Sequence, residues 1–384
     1  MKKKIIRVTT VPISLSRLLQ GQLKFMSNNF DVIGVSSNTE NQLDLFSKSE
    51  NIPTIAVKMT RKITPFQDLD SLWKLYRIFK KEKPFIVHSH TPKAGTVSMI
   101  AARIAGVPHR LHTIAGLPLI EATGPKRTLL NIVEKLTYSC ATKIYPNSFG
   151  LQDIIVENKF TSNKKLKVIA NGSSNGIDTE YYNPELYEKS KELNELRNHL
   201  NIKKEDFVYV FVGRLVTDKG INELISAFNK LSKNHEHIKL LLVGTYENDL
   251  DPLYPETLTS IQNNKNIIST GWVEDVRPYL AISDSLTFPS YREGFPNVVM
   301  QAGAMKLPCI VTNINGCNEI IKHNETGFII PVKDKESLYN AMLFVLNNIT
   351  EAKNMGAKCR THIISNFERK VVWNALLDEY NRLN

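Results

Sequence analysis

Two loops in the second half of the chain combine glycine with charged side chains, a combination suited to binding a diphosphate. The first loop runs from Phe211 to Gly220 and follows a short apolar segment. Gly213 allows a sharp backbone turn, so that Arg214 and Lys219 flank the helix that opens at Gly220. Two cations beside a helix N-terminus bind a diphosphate through side chains and helix dipole together. The alternative is an ordinary loop with solvated charges.

The second loop runs from Phe288 to Asn297 and also precedes a helical segment. A carboxylate just ahead of a helix start, here Glu293, can accept hydrogen bonds from sugar hydroxyls, while the free backbone N–H groups face an anion. Gln301, eight residues after Glu293, lies about one turn inside the predicted helix and reaches the same site. The alternative is that Glu293 only caps the helix.

Parallel strands are needed to position both loops, because ligands of open α/β sheets bind beyond the carboxyl ends of the strands. Short apolar runs alternate with longer helical patterns along the chain, which predicts parallel sheets covered by helices on both faces. The pattern breaks at the Gly-, Asn- and Ser-rich segment 171–176. We therefore predict an α/β fold of two doubly wound, Rossmann-like domains, 1–180 and 181–366. A final helix at 367–384 either closes the second domain or crosses back onto the first.

The predicted elements follow from runs of apolar residues and from their helical spacing. Strands are predicted in the first half at Ile5–Thr10, Val32–Ser36, Thr54–Val57, Phe85–His88, Arg110–Ile114, Lys143–Pro146 and Lys167–Ala170. Strands are predicted in the second half at Phe207–Val212, Lys239–Val243, Ile267–Ser269, Ser285–Phe288, Cys309–Thr312 and Gly327–Ile330. Helices of the first half are predicted at Leu15–Met26, Leu69–Lys81, Ala94–Ala105 and Leu129–Cys140.

Five motif segments, spread over most of the chain, carry a family resemblance. They are Gly213-Arg214…Lys219-Gly220, Gly271-Trp272-Val273-Glu274-Asp275-Val276, Pro289-Ser290…Glu293-Gly294-Phe295-Pro296, Gly316…Glu319-Ile320…Gly327 and Asn175-Gly176-Ile177-Asp178…Tyr182-Asn183-Pro184. This set resembles glycosyltransferase family 4, whose members are retaining, nucleotide-sugar-dependent enzymes of the GT-B fold. The chain most resembles bacterial members that extend lipid-linked oligosaccharides for capsule, O-antigen or glycoprotein assembly.

The resemblance implies roles for the matching residues of the second domain, which would face the first domain across a cleft. Arg214 and Lys219 would hold the donor diphosphate, and Glu293 would contact hydroxyls of the transferred sugar. The backbone expected near sugar and phosphate belongs to Gly294, Phe295, Pro296 and Asn297.

Three further roles are implied for the base, the ribose and the reacting sugar. The backbone around Val273 would meet the base, and Gln301 would meet the ribose. His112 stands where many relatives keep a histidine near the anomeric carbon; the alternative is a core histidine satisfied by a backbone carbonyl.

The chain departs from the family pattern at two places. The family commonly has Glu-x7-Glu, whereas the second position here is Gln301, whose amide can still hydrogen-bond a ribose diol. The family's Gly-rich first loop is replaced by Thr9–Ser14, which contains no glycine. This replacement bears on how closely the backbone approaches the leaving phosphate.

A metal ion is not expected to be required, and no other cofactor is expected, because the sugar nucleotide is itself a substrate. Asp68-Leu69-Asp70 and Asp249-Leu250-Asp251 have the D-x-D form of metal-using transferases of another fold. A helix start and a turn are the better interpretations of these two segments. Histidines cluster at two strand ends without a carboxylate at ligand spacing; they are His88, His90, His109 and His112.

The four cysteines form no C-x-x-C pair, which predicts neither a zinc ribbon nor a redox dithiol. Free, buried thiols are predicted instead, although Cys309 and Cys317 flank a Gly-containing turn and could be close. The four residues are Cys140, Cys309, Cys317 and Cys359.

The net charge of +11 is concentrated in the first half of the chain. Residues 1–180 contain 26 Lys and Arg against 13 Asp and Glu, whereas the remainder has 23 against 25. A basic half attracts phosphate-rich polymers or anionic lipid headgroups; the alternative is a surplus that only keeps the chain dissolved. Candidate membrane contacts are Arg61, Lys62, Lys80, Lys81, Lys83, Lys126 and Arg127.

No segment reaches the ~18 consecutive apolar residues of a membrane span. The basic N-terminus runs directly into a strand pattern, which disfavours a secretion signal. We expect a cytoplasmic protein, peripheral on the inner face of the cytoplasmic membrane.

These features predict a retaining glycosyltransferase that moves a sugar from an NDP-sugar, expected to be UDP-linked, to a polyprenyl-diphosphate-linked saccharide in surface polysaccharide or glycan assembly. Nucleic acid is not an expected partner, because no recognition motif is present. Two alternatives stay open. One is a non-transferring GT-B enzyme such as a UDP-sugar 2-epimerase. The other is a catalytically idle nucleotide-binding partner, which the glutamine at position 301 suggests.

Overall fold

The chain divides into two compact units, each built around its own parallel sheet. The computed structural model describes residues 2–60, 64–117, 119, 122–188, 190–247 and 251–383. The N-terminal unit comprises Met1–Gly176 together with Lys370–Asn384, and the C-terminal unit comprises Ile177–Arg369.

The sheet of the N-terminal unit has the order β3-β2-β1-β4-β5-β6, counted over the described residues, and its strands pair in parallel. The strands are β1 (Lys4–Val8), β2 (Asp31–Ser36), β3 (Thr54–Ala56), β4 (Ile86–His90), β5 (His109–Ile114) and β6 (Lys143–Pro146). The helices that follow them are α1 (Pro12–Leu18), α2 (Gln22–Ser27), α3 (Gln42–Glu50), α4 (Pro65–Glu82), α5 (Pro92–Ala105), α6 (Gly124–Cys140) and α7 (Phe149–Glu157).

The sheet of the C-terminal unit has the order β12-β11-β10-β7-β8-β9, again over the described residues and in parallel. The strands are β7 (Phe207–Val212), β8 (Ile238–Val243), β9 (Ile267–Gly271), β10 (Ser285–Phe288), β11 (Cys309–Thr312) and β12 (Gly327–Ile330). The helices are α8 (Lys191–His199), α9 (Ile221–Ser232), α10 (Pro255–Asn263), α11 (Arg277–Ala281), α12 (Asn297–Ala304), α13 (Cys317–Ile320), α14 (Lys335–Asn347) and α15 (Ile349–Phe367). The next helix, α16 (Arg369–Asn381), belongs to the N-terminal unit from Lys370 onward.

Apolar side chains cover both faces of the N-terminal sheet, as a buried parallel sheet requires. One apolar cluster lies between the sheet and the layer formed by α4, α5 and α6. A second cluster lies between the opposite face and α1, α2 and α3, and Leu376 and Tyr380 of α16 belong to it. The chain moves along the sheet in one direction from β1 to β3 and in the opposite direction from β4 to β6. Because the crossovers are right-handed, the helices of these two parts lie on opposite faces of the sheet. The predicted doubly wound α/β fold is confirmed in both units.

Two predicted elements of the N-terminal unit are wrong in detail. The helix predicted at Leu15–Met26 is broken into α1 and α2, because Gly21 adopts a left-handed conformation with φ of 76°. The strand predicted at Lys167–Ala170 does not form. There the chain makes only an isolated bridge between Ile144 and Leu166 before it turns at Ala170, whose φ is 50°.

The four cysteines are buried and free, as the sequence predicts. Within the part of the chain that the structure describes, every helix is too short or too polar to cross a membrane.

Candidate active site

The two predicted loops follow β7 and β10, which are neighbours in the sheet of the C-terminal unit. Because parallel strands end at the same edge, their carboxyl ends bring the loops together although about seventy residues separate them. Nine of the ten predicted site residues lie in this unit, and His112 lies in the N-terminal unit.

The loop after β7 makes its first turn at Gly213, whose φ of 151° lies in the region that favours glycine. Arg214 then lies on the surface and donates to Glu247 at 2.6 Å. Partial burial disfavours the guanidinium charge, but the ion pair with Glu247 outweighs it and raises the pKa of Arg214. Lys219 ends a short 3₁₀ helix, after which Gly220 opens α9 with a φ of 71°.

Lys219 and Glu293 form an ion pair that joins the two loops. Nζ of Lys219 lies 2.5 Å from Oε1 of Glu293, and the side chains are only 13% and 17% exposed. Ser290 donates to the same carboxylate oxygen at 3.1 Å. A largely buried ion pair is held by good geometry and added hydrogen bonds. The predicted phosphate-binding cation and the predicted sugar-binding carboxylate are therefore direct partners here.

Further contacts between the same loops make them one structural piece. Arg292 pairs with Asp218 at 2.7 Å, and the amide of Tyr291 donates to the carbonyl of Asp218 at 2.8 Å. Gly220 packs so closely on Pro289 that a Cβ at position 220 would lie 2.1 Å from the carbonyl oxygen of Pro289.

The end of the second loop presents backbone N–H groups at the start of α12. Asn297 is the first residue of the helix and is exposed, whereas Phe295 is buried. Pro296 has no N–H, so the amides available to a ligand are those of Gly294, Phe295 and Asn297. Asn315 fixes the loop from behind by donating to the carbonyl of Glu293 and, at 3.3 Å, to that of Gly294.

Gln301, one turn inside α12, is oriented by Tyr182. Its Nε2 donates to the Tyr182 hydroxyl at 2.9 Å, which leaves the amide oxygen for a ligand hydroxyl. Arg360 of α15 holds the tyrosine segment in place by donating to the carbonyls of Tyr182 and Thr179. The side chain at position 301 is thus fixed by elements distant in sequence.

Val273 lies two residues beyond the end of β9 and is half-buried. The turn that follows it is fixed by Arg277, which forms a hydrogen-bonded ion pair with Asp275 at 2.6 Å and lies over the ring of Tyr181 at 3.4 Å. The backbone around Val273 therefore stands beyond the same edge of the sheet as the two loops.

His112 lies on β5 and is 3% exposed, with its ring on the α5 side of the sheet. Its Nδ1 is hydrogen-bonded to Oγ of Ser89 at 2.9 Å. Gly95 of α5 lies directly on the ring, where a Cβ would approach to 2.3 Å. Burial lowers the pKa of His112 to about 4, so the imidazole is neutral near pH 7.

Two other predicted histidines are buried on β4, and one of them, His88, contacts α16. His88 and His90 stack with ring centroids 4.4 Å apart. His88 is hydrogen-bonded to the hydroxyls of Tyr380 and Thr113, and His90 to the guanidinium of Arg7. Among the described residues, no group of three or more His, Cys, Asp or Glu could hold a metal ion.

The D-x-D segment on α4 forms a helix start. Asp68 accepts from the Thr64 hydroxyl at 3.1 Å and pairs with Lys93, and Asp70 pairs with Lys74. In the other segment, Asp249 and Leu250 lie outside the described residues.

The glycine-free loop after β1 is stabilised by hydroxyl groups. Oγ1 of Thr10 lies 2.7 Å from Oγ1 of Thr91 and accepts from the amide of Ala94 at 3.2 Å. Threonine side chains thus join the loop after β1 to the start of α5.

Several further residues build this site, and their roles do not follow from the sequence motifs. They are Tyr182, Asp218, Glu247, Ser290, Arg292 and Asn315. Tyr182 and Ser290 lie inside the quoted motifs, and this position was the sequence feature that could have indicated their part in the site. Glu247 and Asn315 lie in loops that follow other strands. Only the order of the strands in the sheet shows that these loops are next to the site.

Comparisons with known proteins agree with this architecture. The family "Glycosyl transferases group 1" matches residues 193–362, and the family "Glycosyl transferase 4-like" matches residues 16–148. The capsular polysaccharide biosynthesis glycosyltransferase CapM of Staphylococcus aureus is 33% identical, over 99% of this chain and 97% of the relative. The UDP-Gal:alpha-D-GlcNAc-diphosphoundecaprenol alpha-1,3-galactosyltransferase of Escherichia coli is 30% identical, over 95% and 93% of the two chains.

A solved structure shows the same fold. HepE of Anabaena, crystallised in complex with UDP, superposes with a TM-score of 0.80 at 18% identity, over 99% of this chain and 100% of that chain. The chain therefore belongs to glycosyltransferase family 4 and is a hexosyltransferase-type enzyme with the GT-B fold.

Proposed function

We propose that this enzyme transfers a sugar, with retention of anomeric configuration, from a UDP-sugar to a polyprenyl-diphosphate-linked saccharide during surface polysaccharide assembly. The observation that carries the donor assignment is the Lys219–Glu293 ion pair, which joins a phosphate-binding loop to a sugar-binding loop. The acceptor assignment is supported by the Escherichia coli relative, whose name specifies a diphosphoundecaprenol-linked acceptor.

The donor diphosphate takes the place of Glu293 as the partner of Lys219. Without donor, the lysine and the carboxylate neutralise each other at 2.5 Å. A diphosphate held by Arg214 and Lys219 frees Glu293 to accept hydrogen bonds from sugar hydroxyls. After the exchange Lys219 is paired with the diphosphate and the Glu293 carboxylate is hydrogen-bonded to the sugar, so that neither buried charge is left without a partner.

Transfer proceeds on one face of the sugar without a covalent enzyme intermediate, since the predicted site contains no side chain placed as a nucleophile. The bond from the anomeric carbon to the phosphate oxygen breaks, and the acceptor hydroxyl oxygen bonds to the same carbon. The acceptor proton passes to the departing phosphate, whose charge Arg214, Lys219 and the amides at α12 stabilise. This scheme requires no metal ion.

The acceptor binds the N-terminal unit at a cytoplasmic membrane surface. The first 180 residues carry an excess of 13 positive charges, which favours a diphosphate-bearing lipid in an anionic bilayer. Of the predicted basic contacts, Lys80, Lys81, Lys83 and Lys126 are exposed. Arg127 instead points inward and donates to Leu119, Asn131 and Asn158, and Arg61 and Lys62 lie outside the described residues.

Incubation of the purified chain with a panel of NDP-sugars and a synthetic polyprenyl-diphosphate sugar tests the proposal. We expect a saccharide extended by one sugar, only when donor and acceptor are both present. Consumption of a UDP-sugar without acceptor would support an epimerase or hydrolase instead. Nucleotide binding without turnover of any donor would support the idle-partner alternative.

Replacing His112 with asparagine should lower kcat by at least about tenfold, because the variant loses one hydrogen bond to the sugar. Asparagine retains an oxygen near the position of Nδ1, where Ser89 can donate to it, but lacks the Nε2 that would orient the sugar. Calorimetry should show UDP affinity within about twofold of wild type, because the residue belongs to the N-terminal unit. If the melting temperature falls in parallel with activity, His112 is a structural residue.

Replacing Gln301 with alanine should weaken UDP binding without abolishing transfer, because the ribose is remote from the bond that breaks. Gln301→Glu should change UDP affinity by only about 1 kcal/mol, since the stronger acceptor is offset by repulsion from the diphosphate. Tyr182→Phe removes the hydroxyl that orients the amide and should have a smaller effect of the same sign as Gln301→Ala. Undiminished affinity of Gln301→Ala in calorimetry would remove this residue from the donor site.

A further inference from the structure

The layer of α4, α5 and α6 exposes large apolar side chains in a repeated pattern. On α4, Phe66, Leu69 and Trp73 are between 58% and 90% exposed. On α6, residues at the same i, i+3, i+7 spacing are between 47% and 59% exposed; they are Leu129, Ile132 and Leu136. Single exposed apolar residues are ordinary on protein surfaces, but aligned rows on two helices of one layer are not.

Both rows lie on the outer faces of their helices. The buried residues of α4 are Ser71, Leu75 and Phe79, on the side opposite the exposed row. At 100° per residue, Phe66, Leu69 and Trp73 fall within about 60° of one another, and so do their counterparts on α6. Because α5 packs against both helices on one face of the sheet, the two rows face outward from the same layer. We call these six residues the apolar rows.

Unpaired positive charge continues the row on α4. Arg77 and Lys80 follow at spacings of four and three residues on the same exposed face, with Lys81 beside them. The carboxylates of α4 are occupied, since Asp68 pairs with Lys93, Asp70 with Lys74 and Glu82 with Lys4. Within the described residues, no carboxylate pairs with these three cations. The surface therefore combines exposed aromatic and aliphatic groups with net positive charge.

We infer that the apolar rows insert into the headgroup region of an anionic bilayer, with the α4 cations bound to lipid phosphates. Helices with Trp, Phe and Leu beside Lys and Arg on an outer face lie in the plane of a membrane interface. Trp73, stacked on Tyr76 at 5.2 Å, is of the residue type enriched at that depth. An acidic protein or nucleic acid would pair with the cations but leave six large apolar side chains in water.

This inference rests on the proposed lipid-linked acceptor and adds a contact that salt does not remove. Electrostatic attraction alone is screened when the Debye length falls from about 10 Å at 0.1 M to about 3 Å at 1 M salt. Apolar insertion is not screened in this way. The two contributions are therefore separable by ionic strength.

Sedimentation of the full chain with vesicles tests the inference, with phosphatidylcholine alone or mixed with phosphatidylglycerol. Wild type should bind the anionic vesicles at about 0.1 M salt and retain measurable binding at about 1 M. The triple serine variants at 66, 69 and 73 and at 129, 132 and 136 should each lose at least about tenfold in high-salt partitioning. A matched control replaces three residues exposed on other surfaces, Leu45, Ile349 and Ile364, and should bind like wild type.

Tryptophan emission supplies a second measurement. Vesicles should shift the emission of wild type and of Trp272→Phe to shorter wavelength, and should not shift that of Trp73→Phe. Loss of all vesicle binding at high salt, or equal losses in the control variant, would overturn the inference. So would triple variants that bind vesicles normally but change the oligomeric state in light scattering, because the rows would then join two copies.

Activity separates this inference from the proposed function. Transfer to a short-chain, water-soluble acceptor without vesicles should be unchanged in the triple variants. If wild type inserts through the apolar rows but extends no lipid-linked acceptor, the docking stands and the proposed function fails. If it extends that acceptor while the triple variants bind vesicles normally, the function stands and the docking fails.

Discussion

Lys219→Met should lower kcat/KM for sugar transfer by about 10²–10³-fold, which corresponds to the about 2.7–4 kcal/mol typical of a lost contact to developing charge. Negative charge grows on the diphosphate as the glycosidic bond breaks, and Lys219 is the less exposed of the two predicted phosphate-binding cations, at 13%. Arg214→Met should lower kcat/KM by a smaller factor. Arg214 is 44% exposed and paired with Glu247, and solvent screens its charge. Steady-state kinetics with the donor and acceptor identified above measure both effects.

The loss in Lys219→Met has a second source, because Glu293 is left without its partner in a largely buried position. Glu293→Gln and the double variant complete a cycle that isolates the direct phosphate contribution. Lys322→Met serves as a control, since this exposed lysine pairs with Glu325 outside the two loops. If Lys219→Met and Arg214→Met both fold and keep activity within about threefold of wild type, the diphosphate assignment is wrong.

The strands were predictable because buried parallel strands are short, nearly continuous apolar runs. Phe207–Val212 and Cys309–Thr312 agree with the predicted bounds. The break between α1 and α2 at Gly21 was harder to predict, because one glycine inside a helical pattern is compatible both with a continuous helix and with an interrupted one. The segment 167–170 has strand-like composition, but the isolated bridge to Ile144 is made by Leu166, just before it. Strand pairing is decided by neighbours that the local sequence does not contain.

The site residues were predictable singly, whereas their partners were not. The positions of Lys219 and Glu293 follow from loop motifs, but their pairing depends on β7 and β10 being adjacent, and the alternation of strands and helices does not specify strand order. The same reason applies to Gln301 and Tyr182, which are 119 residues apart. For His112 the sequence indicated a strand end but not the partner, since Ser89 lies on the neighbouring strand and Gly95 on the helix above it.

Gly220 is a further point at which the two loops are joined, because its backbone packs directly on Pro289. Its φ of 71° is left-handed, which costs a residue with a Cβ about 1–2 kcal/mol. A Cβ would also lie 2.1 Å from the carbonyl oxygen and 2.8 Å from the carbonyl carbon of Pro289, and backbone atoms cannot yield as a flexible side chain can. Overpacking of this kind costs about 1–3 kcal/mol.

Gly220→Ala should therefore destabilise the C-terminal unit by about 2–5 kcal/mol and lower its melting temperature by about 5–15 °C. UDP affinity should fall as well, because moving Pro289 away from Gly220 separates Lys219 from Glu293 and shifts the amides at the start of α12. Gly271→Ala is the matched stability control. Its φ of 73° is nearly the same, but nothing lies within 4 Å of the added Cβ. This variant is therefore destabilised only by the unfavourable backbone conformation. Calorimetric unfolding of both variants, with and without UDP, measures the difference. Equal melting temperatures for the two variants, together with unchanged UDP affinity of Gly220→Ala, would show that the contact with Pro289 does not hold the loops together.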